Sequence, residues 1–354
     1  MLTAPTNTTP SPWPHRLATV LVCAVFPLIW VGGLVTSSEA GMAVPDWPNT
    51  YGYNLFLYPW QTWFFGPWDI FVEHGHRLLG AVVGMLTIVV AWSLWKHESR
   101  RWVVQLGFAA LLLVISQGVL GGMRVVLNKQ LLAMIHGCVG PLFFAVCVAL
   151  WQFTSRRYPA VPAGDSSNFS VRATKLYRLA LITSALAYVQ IGFGAAVRHL
   201  PHMPDSAKPE TFQVAVLMHL FMAAVLAVHV LSISLRGMAA PVAADRPSLR
   251  RPSFLLLFAF LTQVALGAGA WVVNYGLPDW VRSAASAPEY VVRTQSFAQI
   301  AISTAHVAVG SLILVTSLVL TLRAASWRSA ASAGSVRSGA LVAFGGLFLK
   351  GAAG

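Results

Sequence analysis

The chain has 354 residues, of which 56% are hydrophobic and only 10% are charged. Soluble domains carry about 25% charged residues, so this composition excludes a water-soluble globular protein and indicates one that crosses a membrane several times. The net charge of +13 invites a nucleic-acid-binding interpretation. Most of the Lys and Arg residues, however, fall in alternate connecting segments, which is the pattern that sets membrane topology. We therefore predict a membrane protein with no nucleic-acid partner.

Eight apolar segments are long enough to cross a bilayer as helices, which takes about 20 residues each. In chain order they cover residues 17–35, 77–95, 102–123, 131–153, 176–197, 212–235, 253–275 and 297–322. A cytoplasmic N-terminus places most basic residues on the inner side, so both termini are predicted to be cytoplasmic. The predicted fold class is an all-α membrane protein with eight transmembrane helices.

The predicted domain organisation is two pseudo-symmetric four-helix bundles. It consists of a cytoplasmic N-terminal tail (1–16), an N-terminal half (17–156), a cytoplasmic linker (157–175), a C-terminal half (176–322) and a cytoplasmic C-terminal tail (323–354). The first outer loop (36–73) is long, contains no Lys or Arg and is rich in Trp. Aromatic residues of this kind suit the membrane–water interface, either as anchors or as a lid over the outer mouth of the first half.

An internal repeat supports this organisation. Three of the odd-numbered spans carry a Gln four residues before a Gly: Gln117 and Gly121, Gln190 and Gly194, Gln263 and Gly267. The first span keeps only its glycines, Gly32 and Gly33. Small residues allow helices to approach closely in lipid, and buried glutamines form hydrogen bonds between helices. The repeating unit is therefore a helical hairpin that is used four times.

Four histidines stand in one frame, at the predicted outer ends of the even-numbered spans: His76, His136, His219 and His306. Each is followed four residues later by Gly or Ala, which lies on the same helical face and leaves room for a flat group. Ionisable side chains inside a membrane are costly and indicate function. Zinc favours a compact tetrahedral set, whereas a haem takes one axial imidazole on each face of its iron. The pattern therefore predicts two haem sites, which pair His76 with His136 and His219 with His306.

The two predicted sites differ in their acidic neighbours. Glu73 lies three residues before His76 and four before Arg77, so all three share one helical face, and the second half has no acid in the matching place. An ion pair with Arg77 is one interpretation of Glu73. A carboxylate that moves protons or stabilises developing charge beside a metal is the other. The asymmetry indicates chemistry in the first half and electron storage in the second.

These residues resemble the heme A synthase family, over about residues 17–322. The matching motifs are Val-Pro-Asp-Trp-Pro (44–48), Glu73-x-x-His76-Arg77-Leu-Leu-Gly, Gln-Gly-Val-Leu-Gly-Gly (117–122) ahead of His136, and the later pair His219 and His306. The resemblance implies an oxidoreductase that oxidises a methyl group of haem O to a formyl group by successive hydroxylations. The product, haem A, serves cytochrome c oxidase assembly.

The resemblance also implies a role for each site residue. His76 and His136 would be the axial ligands of the substrate haem O, His219 and His306 would hold the iron of a haem b cofactor, and Glu73 would assist the oxidation. Expected partners are a haem O synthase that delivers the substrate, an electron donor and a second copy in a homo-oligomer. The expected location is the bacterial cytoplasmic membrane, with both haem sites toward its outer face.

Two departures from the family pattern concern the first outer loop. It contains no cysteine pair, and residues 36–41 contain no Arg that would bind haem propionates. Arg77, Arg124 and Arg198 are the alternative propionate contacts, because Arg binds carboxylates through two parallel hydrogen bonds. Interfacial snorkelling is the other interpretation of these three arginines.

Two other classes of protein compete with an enzyme. A bis-histidine diheme b-type electron carrier linked to quinol would need the same histidines, but it would need no carboxylate at a ligand, so Glu73 discriminates against it. A transporter built from repeats predicts polar or broken helices at mid-membrane, and few polar residues lie there.

Overall fold

The computed structural model describes residues 11–155, 167–200, 209–240, 248–285 and 290–350, with only the backbone of 167–170, 209, 285 and 329–350. The part so described is α-helical, with no β-strand in it. Parts of the predicted tails (1–10 and 351–354) and of the predicted linker (157–166) lie outside it. The predicted domain bounds and cytoplasmic termini stay predictions.

Eight of the helices are long and apolar enough to cross a membrane, which confirms the predicted number of spans. In chain order they are α1 (Trp13–Ser37), α3 (Trp68–His97), α4 (Arg101–Val126), α5 (Gln130–Thr154), α6 (Ser167–His199), α7 (Pro209–Met238), α8 (Arg250–Tyr275) and α10 (Phe297–Lys350). Two short helices lie between them: α2 (Trp60–Phe64) and α9 (Asp279–Ala285). Helices are favoured here because a bilayer offers no water to satisfy open backbone groups.

The helix that carries Glu73 begins earlier than the sequence indicates. Its first residue is Trp68, directly after Pro67, and Asp69 lies in its first turn, where a negative charge favours the helix dipole. Residues 68–73 therefore belong to α3 and not to the first outer loop, which spans 38–67. At the other end of the chain, α10 continues to Lys350, well beyond the predicted end of the eighth span at residue 322.

The chain divides into two compact units. The first contains residues 1–154, 198–208 and 265–308; in it α1 packs against α3 and α5, and α4 packs against α3 and α5. Its buried apolar residues include Leu21, Val83, Leu94 and Leu150. The second contains residues 155–197, 209–264 and 309–354, with a buried core that includes Leu226, Ile233, Leu256 and Leu320.

Candidate functional site

Each of the four histidines of the repeated frame packs its ring against a glycine of the preceding membrane helix. The closeness of each contact is given by the distance between Cε1 of the histidine and the position that a Cβ would take on the glycine. This distance is 2.9 Å for Gly32 and His76, 3.2 Å for Gly121 and His136, 3.2 Å for Gly194 and His219, and 3.0 Å for Gly267 and His306. Real side chains rarely come this close, so any larger residue would push the ring away. The glycines of the repeat are thus the surfaces on which the histidines lie.

His76 and His136 face each other in the first unit. Their ring centroids are 6.5 Å apart, and the ring planes are nearly perpendicular, at 85°. A metal lies about 2 Å from an imidazole nitrogen, so two imidazoles on opposite sides of one metal have centroids about 6 Å apart. The Nδ1 atoms of both rings are buried and have no hydrogen-bond partner among the described residues. The spacing of the two rings therefore fits two imidazoles that would hold one iron between them.

Open space lies beneath His76, as the sequence predicts. Gly80 and Gly84 follow His76 by one and two helical turns on the same face of α3. In the described part of the chain, a Cβ added to either glycine would meet nothing within 4 Å apart from the nearby backbone of α3 itself. Beneath His136 the situation differs, because the amide nitrogen of Gln117 lies 3.4 Å from the position of a Cβ on Gly140. A glycine four residues after the histidine thus leaves space in one hairpin and admits a neighbouring side chain in another.

Glu73 is buried, with 3% of its surface exposed, and both of its carboxylate oxygens accept hydrogen bonds. The backbone N–H of Val44 donates to Oε2 at 2.9 Å, and Arg77 donates to Oε1 at 2.8 Å. The ion pair with Arg77 is thus present, and the same carboxylate ties the first outer loop to α3. Glu73 lies one helical turn from His76, so the loop, the acid and the histidine form one connected structure.

Arg77 holds the first outer loop in place. Beyond Glu73, its guanidinium donates to three backbone carbonyls of this loop: Val44 at 2.7 Å, Asp46 at 2.6 Å and Asn49 at 3.0 Å. The guanidinium is therefore already engaged by the loop and by Glu73.

Arg124 and Arg198 also form hydrogen bonds in the first unit, at the end where α1 meets the first loop. Arg124 donates to the carbonyl of Gly41 at 2.9 Å. Arg198 donates to the hydroxyl of Ser37 at 2.7 Å and to the carbonyl of Gly33 at 3.2 Å. Both arginines therefore lie beside the end of α1 and the start of the first loop.

His74, which lies in α3, packs against the first outer loop, a role that the sequence patterns do not identify. It is buried, its Nδ1 lies 3.1 Å from the hydroxyl oxygen of Thr50, and its ring contacts those of Tyr58 and Trp63. It precedes His76 by two positions, which places it on another face of α3. The only signal in the sequence is the motif Glu-His-Gly-His, which does not say which histidine faces the loop.

Asp46 stabilises the first outer loop through hydrogen bonds within the loop. Its carboxylate accepts hydrogen bonds from the backbone N–H groups of Tyr51 and Gly52, each at 2.8 Å. Burial raises the pKa of Asp46, but these hydrogen bonds outweigh burial and hold its pKa below the ordinary value. A lowered pKa means that the carboxylate stabilises the loop at neutral pH, and this contribution is lost only as the pH falls through that lowered value.

Replacing Gly122 by Ala is expected to dislodge the first loop. The indole of Trp47 lies where a Cβ on Gly122 would be, whereas a Cβ on Gly118 of the same helix would meet nothing within 4 Å. Overpacking of this kind costs about 1–3 kcal/mol. We expect faster amide hydrogen exchange across residues 43–53 in Gly122→Ala and unchanged exchange in the control Gly118→Ala. Equal exchange in the two variants would show that Trp47 does not anchor the loop.

Eight apolar helices with four glycine-backed histidines define a polytopic membrane protein with a buried histidine pair beside a carboxylate. A family model described as cytochrome oxidase assembly protein matches residues 67–281, more than half of the chain. The chain therefore belongs to the family of cytochrome oxidase assembly proteins. The matched residues include Glu73, His76, His136 and His219, and His306 lies beyond them.

Curated relatives agree with this family. The chain is similar to proteins named heme A synthase from Shouchella clausii (28% identical over 190 residues, 52% of this chain and 58% of that protein), Brucella anthropi (30% over 156 residues, 41% and 42%) and Brucella ovis (30% over 158 residues, 41% and 42%). The matched region thus spans about half the length of these relatives. The resemblance to heme A synthases drawn from the sequence motifs is confirmed.

Proposed function

We propose that the protein is a heme A synthase: it binds haem O between His76 and His136 and oxidises one methyl group to a formyl group by successive hydroxylations. The observation that carries this proposal is the buried histidine pair with Glu73 one helical turn away. An electron carrier needs the pair but has no use for the acid, whereas oxidation of a methyl group requires proton transfers close to the iron.

Glu73 is the proposed catalytic residue. Its carboxylate is held at one oxygen by Val44 and at the other by Arg77, so its position is set before substrate arrives. A fixed charge that needs no rearrangement during the reaction is the most effective stabiliser of developing positive charge. The same carboxylate can exchange a proton with the substrate side, and Arg77 holds it in place while it does so.

His219 and His306 are the proposed axial ligands of a haem b cofactor. Each ring lies on a glycine in the same manner as the rings of His76 and His136, which supports a common role for the four histidines. When bound, haem b supplies an iron that passes electrons between an external electron donor and the substrate site. No carboxylate lies three residues before either histidine, which suits electron storage and not substrate oxidation.

Arg124 and Arg198 are the proposed partners of the haem propionates, with Arg77 as a third candidate that the loop already engages. A guanidinium has five N–H donors, and the described contacts of Arg124 use one carbonyl, that of Gly41. Arginine suits this task because its planar fork matches a carboxylate. Substitution of Arg124 or Arg198 should therefore weaken haem binding more than it slows the oxidation.

The proposed setting is a bacterial cytoplasmic membrane, with both haem sites toward the outer face. A haem O synthase would deliver the substrate, since haem O is too apolar to diffuse freely through water. The proposed oxidant is molecular oxygen: each hydroxylation inserts one oxygen atom into a C–H bond, and an electron donor supplies the two electrons that, with two protons, reduce the other atom to water. A second copy of the chain in a homo-oligomer is a further proposed partner.

Haem extraction tests the proposal. The protein is expressed with and without a haem O synthase, and its haems are separated by chromatography. We expect haem A or its hydroxylated precursor only when haem O is supplied. Bound haem b with haem O left unchanged would instead favour the bis-histidine diheme electron carrier.

A further inference from the structure

We propose that His76 is the exchangeable ligand of the substrate haem, the one that binds last and leaves first, and that His136, tied to its neighbouring helix by Gln117, binds first and leaves last. This rests on the proposed function, because it takes His76 and His136 as the ligands of the substrate. A substrate must bind and a product must leave in every cycle, so both coordinate bonds at this site have to form and break, and one of them opens before the other.

Two of the histidines are tied to the preceding helix by a glutamine. The side-chain amide of Gln117 donates to the backbone carbonyl of His136 at 3.0 Å. The amide of Gln190 donates in the same way to the carbonyl of His219, also at 3.0 Å, and its nitrogen lies 3.1 Å from Nδ1 of that ring. Each glutamine therefore links two helices at the level of the histidine and restrains the position of its ring.

Gln263 lies in the corresponding position in the fourth hairpin. Its amide nitrogen is 3.3 Å from the position of a Cβ on Gly310, as the amide nitrogen of Gln117 is 3.4 Å from that on Gly140. Each of these glycines follows a histidine by four residues. The small residue below the histidine is thus what allows the glutamine to approach the helix.

Leu28 takes this position in the first hairpin. It precedes Gly32 by four residues, as Gln117 precedes Gly121. The equivalence also holds in space, because the ring of His76 lies on Gly32 just as the ring of His136 lies on Gly121. A leucine side chain has no donor, so it cannot make the bond that Gln117 makes.

The space beneath His76 that a glutamine amide at position 28 would fill is open. Apart from the nearby backbone of α3 itself, no atom of the described residues lies within 4 Å of a Cβ added to Gly80, which follows His76 by four residues. The N-terminal part of α3 is instead held by hydrogen bonds to the first outer loop. The N–H of Val44 donates to Glu73, and Arg77 donates to the carbonyl of Val44. The first outer loop is therefore linked to His76 through a single helical turn of α3.

Carbon monoxide measures the release of a ligand, because it binds a reduced six-coordinate haem only after one axial imidazole leaves. The protein is loaded with haem O by co-expression with a haem O synthase, kept anaerobic and reduced, and mixed with carbon monoxide. We expect Leu28→Gln to slow carbon monoxide binding at the haem O site by roughly threefold to tenfold, the factor that one neutral hydrogen bond provides. The control Leu28→Met, which adds no donor, should bind at the rate of the unchanged protein.

A second variant, Gln117→Leu, tests the proposal even if Leu28→Gln fails to fold. Gln117→Leu removes the tie on His136 and opens a second route of ligand release of comparable rate, so it should speed carbon monoxide binding by up to about twofold. In addition, His76→Ala should retain haem O with the absorption spectrum of a five-coordinate, high-spin haem, whereas His136→Ala should lose it. Retention of haem O by His136→Ala and its loss from His76→Ala would overturn the proposal, as would equal carbon monoxide rates in all the Leu28 and Gln117 variants.

The two proposals fail in distinguishable ways. If the unchanged protein acquires no haem O at all, the assignment of the first histidine pair to the substrate is wrong, and the exchangeable ligand is wrong with it. If haem O binds and is oxidised but the two histidine variants behave alike, only the exchangeable ligand is overturned.

Discussion

Glu73→Gln is expected to lower haem A formation by about 10²–10⁴-fold, the usual contribution of a positioned acid or base, while haem b content stays unchanged. The amide keeps the size of the side chain and one oxygen that can accept from Val44, but it removes the negative charge that Arg77 and the reaction use. Haem extraction and chromatography, in cells that supply haem O, measure both haems in one experiment.

Two control variants separate catalysis from loop anchoring. Glu98→Gln removes another carboxylate that is paired with an arginine, Arg100, at 2.8 Å; it lies at the opposite end of α3, so haem A formation should persist. Gly122→Ala disturbs the loop without touching Glu73. If Gly122→Ala lowers haem A formation as much as Glu73→Gln does, Glu73 acts by holding the loop; unchanged haem A formation in Glu73→Gln would rule out any catalytic role.

His219→Ala is expected to remove most of the proposed haem b cofactor, because its iron would lose one of the two histidine ligands proposed for it. The matched control is His229→Ala, ten residues further along α7, whose Nδ1 lies 2.9 Å from the carbonyl of Val225 in its own helix. Haem b per protein, from the absorption spectrum of the purified variants, is the measurement. Normal haem b content in His219→Ala would contradict the assignment of this histidine to the cofactor.

The eight spans were predictable because the bilayer imposes a strong and simple rule. Long apolar runs must form helices, since open backbone groups cannot be satisfied in lipid. The ends were less predictable: Trp68 and Asp69 begin α3 among polar and aromatic residues that also suit an interfacial loop. A membrane-spanning run can be recognised from composition, whereas its first turn depends on local capping and on what packs against it.

The sequence alone also determined the four histidines, the repeated Gln and Gly positions and the carboxylate before His76, because helical periodicity converts spacing into a shared face. Only the tertiary structure decided what each residue meets. Gly80 and Gly140 stand in the same place after a histidine, yet one faces open space and the other a glutamine amide. Arg77 binds the loop as well as Glu73. The physical reason is that spacing within a helix orients a side chain, but the identity of its partner depends on a neighbouring helix or loop that is distant in the chain.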